Sequence, residues 1–191
     1  MRSVARRFRP LLPAVSLLFL TALLFGAGCA GAPPASLSSL PSFLSRDRAV
    51  HYRIPSGWFD ATADSAAIPR TVFLVRADYA GSIAVRELHI DAAARRDLDR
   101  TGMLQIARLA AALETGSGRG VIVRAPESIR VNGREGATYE LEFGAGERVR
   151  TVLVDTGARV YSVAALVNAT AAGAAGDVFA ALEAFLQALA W

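Results

Sequence analysis

VIVRAPESIRVNGREGATYELEFGAGERVRTVLVDTGARVYSVAALV, residues 121–167, is the stretch that decides the fold. Turn signals divide it into short apolar runs of strand length. Asn132-Gly133 is the strongest of them, because both residues tolerate the positive φ that a two-residue hairpin needs. Gly144-Ala145-Gly146 and Asp155-Thr156-Gly157 mark further turns. The runs between them are Val121 to Val131 (interrupted at Pro126), Ala137 to Phe143, Val149 to Val154 and Val160 to Val167. Strands this close in sequence are joined by hairpins and therefore pair antiparallel.

Upstream the period changes. Met103, Ile106, Ala107, Ala110 and Leu113 recur at helical spacing, with Arg100, Arg108 and Glu114 left for water, which predicts a helix over Asp97 to Leu113 ended by Thr115-Gly116-Ser117-Gly118. Before it, Ser82 to Ile90 alternates apolar with polar and follows Thr71 to Val75 across the turn Asp78-Tyr79-Ala80-Gly81; the short run His51 to Ile54 stops at Pro55. Downstream, Asp177 is placed to cap a helix whose Val178, Phe179, Leu182, Phe185, Leu186 and Leu189 share one face. The order is β-β-β-α-β-β-β-β-α. This is an α+β domain over residues 49–191, its mostly antiparallel sheet of about seven strands flanked by helices.

Residues 1–28 read as a secretory leader. Arg2, Arg6, Arg7 and Arg9 precede an almost wholly apolar run from Leu11 to Phe25, and Gly26-Ala27-Gly28 leads to Cys29. The apolar run is shorter than the roughly 20 residues that span a bilayer as a helix. Cys29 is the only cysteine, so no intramolecular disulfide can form. The segment resembles a bacterial lipobox, with Gly26 standing where such boxes usually carry Leu. The expectation is export, cleavage before Cys29 and a membrane anchor through lipid on Cys29, in the cell envelope and in the outer membrane where there is one. An uncleaved anchor and plain secretion with a free thiol are the alternatives. Residues 29–48, rich in Ala, Pro and Ser, read as a tether, in which Leu37, Leu40, Phe43 and Leu44 are free to dock on the domain or the bilayer.

The net charge of +4 and pI near 10.0 would suggest a polyanion partner, but the distribution removes that reading. All 21 basic residues are Arg; without the leader, 17 of them face 17 acidic residues. No basic patch is left for nucleic acid.

Candidates for chemistry are few. His51 and His89 lie on separate expected strands, with Asp91 or Glu87 nearby, and fall short of the three or four ligands of a zinc site. No G-x-S-x-G elbow exists. Gly116-Ser117-Gly118-Arg119-Gly120 follows a helix and precedes a strand, the reverse of a phosphate-cradling order. Glu140 and Glu142 face Arg148 and Arg150 across a tight turn, as cross-strand ion pairs would. Asn168-Ala169-Thr170 fits a glycosylation triplet that a bacterial lipoprotein would not normally use. No catalytic residue, metal site or cofactor follows from this set. Trp58 and Phe59, after Pro55, either cap the core or expose an aromatic patch to a partner.

Tyr52-Arg53-Ile54-Pro55-Ser56-Gly57-Trp58 resembles the opening of PsbP-like domains. Val131 to Glu140 is similar to their central hairpin, and Arg159-Val160-Tyr161-Ser162-Val163 with the helix carrying Val178, Phe179 and Phe185 is similar to their last strand and last helix. The resemblance covers nearly all of residues 49–191 through loose hydrophobic and turn motifs. It implies an α-β-α sandwich and a binding module. Family members attach to photosystem II in plants, bind a small GTPase in the eukaryotic nucleus, or are bacterial lipoproteins. The function expected is a membrane-tethered, non-catalytic binding or accessory module with an envelope protein as partner. The rival is a small-ligand carrier or hydrolase using a cleft between sheet and helix.

Overall fold

The computed structural model describes residues 41–65, 71–118 and 120–191. The leader, Cys29 and the first part of the expected tether lie outside the described residues. The strands are β1 (Ser42–Leu44), β2 (His51–Arg53), β3 (Trp58–Asp60), β4 (Val72–Arg76), β5 (Gly81–Leu88), β6 (Gly120–Val131), β7 (Arg134–Phe143), β8 (Glu147–Asp155) and β9 (Val160–Val167). The helices are α1 (Ala92–Thr101), α2 (Met103–Gly116) and α3 (Ala175–Ala188). Seven strands form one wholly antiparallel sheet in the order β3-β4-β5-β9-β8-β7-β6, and β1 pairs with β2 in a separate two-stranded sheet.

Hairpins carry this topology as the turn residues predict. Asn132 and Gly133 sit at φ 50° and 80° and join β6 to β7. The Asn132 side chain also donates to the carbonyls of Leu186 (2.9 Å) and Leu189 (2.6 Å), so one turn residue satisfies the C-terminal end of α3.

Three expectations need correction. The helix predicted over Asp97–Leu113 is two helices, broken at Gly102 (φ 76°, ψ 167°). Asp91 caps α1 by accepting from the N–H groups of Ala93 (2.9 Å) and Ala94 (2.8 Å), and Glu135 accepts the first N–H of α2, from Met103, at 3.1 Å. His51–Arg53 is not in the main sheet; its expected place is taken by Trp58–Asp60, which pairs with β4. Asp177 does not cap α3. A 3-10 turn over Ala169–Ala174 runs straight into that helix, leaving Asp177 in its first turn, 3.7 Å from Arg76. Of the apolar tether residues free to dock, Phe43 and Leu44 lie in β1, where Phe43 stacks on Tyr52 at 5.9 Å.

The helices cover the sheet unequally. α3 lies on one face, where Val178, Phe179, Leu182, Phe185 and Leu186 pack with Leu74, Ile83, Val163 and Val152. The expected stripe is therefore the core stripe. On the opposite face α2 lies over β6 and β7, and Met103, Ala107 and Ala111 pack with Tyr139, Leu141 and Leu153. α1 closes one end of that face through Leu98, near Leu88 and Val160. Apart from Val160 under α1, the residues of β5 and β9 pointing to the α1–α2 face are at most half-buried, so that half of the face lacks a helix among the described residues.

Gly81 is required for sheet and helix to approach. A Cβ there would stand 2.6 Å from the Leu166 carbonyl oxygen and 2.9 Å from a methyl of Val178. Gly81→Ala is expected to destabilise by about 1–3 kcal/mol through overpacking. Gly116→Ala, where a Cβ meets nothing within 4 Å, is the control and should leave the urea midpoint unchanged or raised. Equal midpoints would mean that β5 and α3 are not packed this closely.

Candidate binding site

Directly paired residues of an antiparallel sheet share a face, so register builds the open half-face row by row. Phe73, Ala84, Ala164, Thr151 and Tyr139 form one continuous row across β4, β5, β9, β8 and β7. The row on one side is Phe59, Val75, Ser82, Leu166, Val149 and Leu141. On the other it is Arg86, Ser162, Leu153 and Ala137. The middle row is small at its centre and aromatic at both ends. The result is a trough of about 260 Å³, floored by Ala84, Ala164 and Thr151 and lined also by Phe73, Leu166, Val149, Arg86 and Glu114.

Polar side chains make up about half of the lining: Ser82, Ser162, Thr151, Tyr139, Arg86 and Glu114. Tyr139 hydrogen-bonds Thr151, and burial, reinforced by the nearby Glu114 carboxylate, pushes its phenol above the usual range, so it stays protonated. Arg86 and Glu114 form no ion pair with each other or with any other described residue.

Phe59 lies on the same face, on β3 beyond Val75, outside the lining of the trough. Its ring meets Tyr79 edge-on at 6.1 Å, and Tyr79 is 68% exposed. Tyr79 sits at φ 59°, a left-handed conformation that is uncommon for a bulky residue. Asn168 fixes it there, its side-chain amide donating to the Tyr79 carbonyl and its backbone N–H to the Ala80 carbonyl at 3.0 Å. Trp58 points to the other face, half-buried against the α3 core.

The remaining candidates sit elsewhere. His51 and His89 are exposed, and neither lines the trough or the cleft beside α3. Among the described residues no group of three or more His, Cys, Asp and Glu could hold a metal ion. Glu140 is 3% exposed and takes both arginines at once: Arg148 on one oxygen, Arg150 on the other at 3.1 and 3.2 Å. Arg150 also reaches Glu183 of α3 at 3.2 Å and lies 4.1 Å over the Phe179 ring. This network staples α3 to β7 and β8. Beside it a second cleft of about 290 Å³ runs between β6 and α3, over Ile129, Val152, Leu182 and Leu186. Arg119 of the glycine-rich connector is outside the described residues.

No family model matches the chain, and no curated protein matches it in sequence. Solved structures do match. The cyanobacterial PsbP (CyanoP) of Synechocystis sp. PCC 6803 superposes with a TM-score of 0.57 at 13% identity, over 85% of this chain and 96% of that one. The Saccharomyces cerevisiae Ran-binding protein Mog1p superposes with a TM-score of 0.53 at 12% identity, over 80% of this chain and 96% of that one. The chain has a PsbP/Mog1-like fold. The PsbP-like resemblance in its strands, turns and last helix is thus a likeness of structure. In this PsbP/Mog1-like sheet the trough arises from what is missing. Ala84 and Ala164 stand where a covered face would carry large apolar residues. Their signal in the sequence was the run of small residues at alternate positions of two strands, Ser82-x-Ala84 and Ser162-x-Ala164.

Proposed function

We propose that this chain is a non-catalytic binding module, held at a membrane of the bacterial cell envelope by lipid on Cys29, with a protein partner docked on the open half-face. The observation that carries the reading is the trough itself: a concave floor of small residues over β5, β9 and β8 that no helix covers among the described residues, with the exposed Phe59–Tyr79 pair on the same side of the sheet. Support also comes from the fold, since Mog1p, which shares it, is a Ran-binding protein. The lipid part rests on the small residues before the only cysteine, Gly26-Ala27-Gly28-Cys29.

Each half has its own test. Metabolic labelling with a palmitate analogue is expected to tag the parent chain and to spare Cys29→Ser; equal labelling, or none, removes the anchor. Gentle cross-linking in membranes followed by purification is expected to recover a stoichiometric protein partner that is lost with the double substitution Phe59→Ser/Tyr79→Ser. Recovery of the chain alone removes the binding reading.

A further inference from the structure

We infer that the partner element seated in the trough is an amphipathic helix, laid beside α2 and antiparallel to it, which completes the half-formed helical layer on this face. The inference rests on the binding reading above and names the shape and polarity of what binds.

Spacing comes first. α2 lies over β6 and β7. Packed helices stand about 8–10 Å apart and strands about 4.8 Å, so a neighbour of α2 comes down two strands further on, over β8 and β9. That is where the floor is lowest, at Thr151 and Ala164, with Ala84 beyond. A helix about 10 Å across fits between α2 and the Phe73 wall, and α1 stops it at the Leu88 end. Small floor residues call for large apolar side chains on the incoming helix.

Charge then fixes direction. Met103 at the start of α2 is bonded to Glu135 at the start of β7, so α2 runs in the direction of β7 and Glu114 lies near its far end, beside Tyr139 and Val149. Arg86 stands in the row of Ala137, toward the start of β7. The cation and the anion thus occupy opposite ends of the trough, each without an ion-pair partner among the described residues. A helix antiparallel to α2 places its positive N-terminal end by Glu114 and its negative C-terminal end by Arg86. The reverse orientation places like against like at both ends.

The experiment uses the full chain in its native membranes, with a photo-reactive residue placed singly at Ser82, Ala84, Ser162 or Ala164. Ala180, exposed on α3, is the control position. Mapped adducts are expected to fall in one partner segment at spacings of three and four, with Ser82 reaching residues nearer its N-terminus than Ser162 does. Ala164→Leu, which fills the floor, and the pair Arg86→Glu/Glu114→Arg should each lower adduct yield roughly tenfold, as a loss of about 1.4 kcal/mol would, with urea midpoints unchanged. Protein adducts at spacings of two, in reversed polarity or scattered over many segments would overturn the helix while leaving the binding reading intact. Adducts to a second copy of this chain would overturn the foreign partner. Lipid or small-molecule adducts alone, or protein adducts no more abundant than at Ala180, would overturn both.

Discussion

Phe185→Ala is expected to lower the unfolding free energy by about 3–5 kcal/mol, a large share of the roughly 5–15 kcal/mol of a typical domain. Phe185 has no exposed surface, lies in the last third of α3 and stands 6.3 Å from the Tyr52 ring. Its loss opens a cavity where α3, the main sheet and the β1–β2 pair meet. The helix has 14 residues and no side-chain N-cap, so its stability depends on this docked face. Glu183→Ala is the comparison. Glu183 bridges Arg150 but is 66% exposed, and an exposed pair of this kind contributes about 1 kcal/mol or less. Equal urea midpoints for the two variants would mean that α3 is not docked as described.

Glu140→Ala is expected to cost an amount toward the lower end of about 3–5 kcal/mol. The carboxylate is nearly inaccessible, and removing it leaves Arg148 and Arg150 without their shared acceptor. Arg148 keeps 31% of its side chain in water and can turn outward; Arg150, at 17% and resting on Phe179, has less freedom. Replacing Glu140 and Arg150 together by Leu and Met should restore much of the loss, because a well-packed apolar pair replaces a buried ion pair at little cost. A double-mutant cycle read from urea midpoints checks both statements. A Glu140→Ala variant within about 1 kcal/mol of the parent would mean that water reaches the network freely.

Strong local signals made most of the fold legible. Asn132-Gly133 fixed a hairpin, and the Val178 to Leu189 spacing marked the face that α3 buries. What escaped the sequence was tertiary in origin. The helical period runs on through Gly102, but that glycine takes a left-handed φ and Glu135, from β7, accepts the Met103 N–H at the start of the second helix. β3 is three residues long, too short for any period to show, and exists because β4 offers it an edge. Glu140 was placed opposite Arg150, but its burial depends on Phe179 and Glu183 arriving from α3. The trough was the least legible feature, since it consists of side-chain volume withheld at Ala84 and Ala164. Phe59 was singled out by chemistry alone, and the register puts it on the same face as that trough.

The Asn132 cap on α3 and the bridge between His51 and Ala190 bear on when this chain can fold during its synthesis. Translation delivers α3 after every strand it covers. Until residues 175–190 leave the ribosome, the faces of β5, β9 and β8 beneath α3 have no cover, and β2 lacks its link to Ala190. Hairpins such as β6–β7 and the smaller core under α1 and α2 can close early because their residues all precede α3, but the larger core cannot. The apolar face that α3 covers therefore stays open to water, and available to other apolar surfaces, for as long as that helix is withheld.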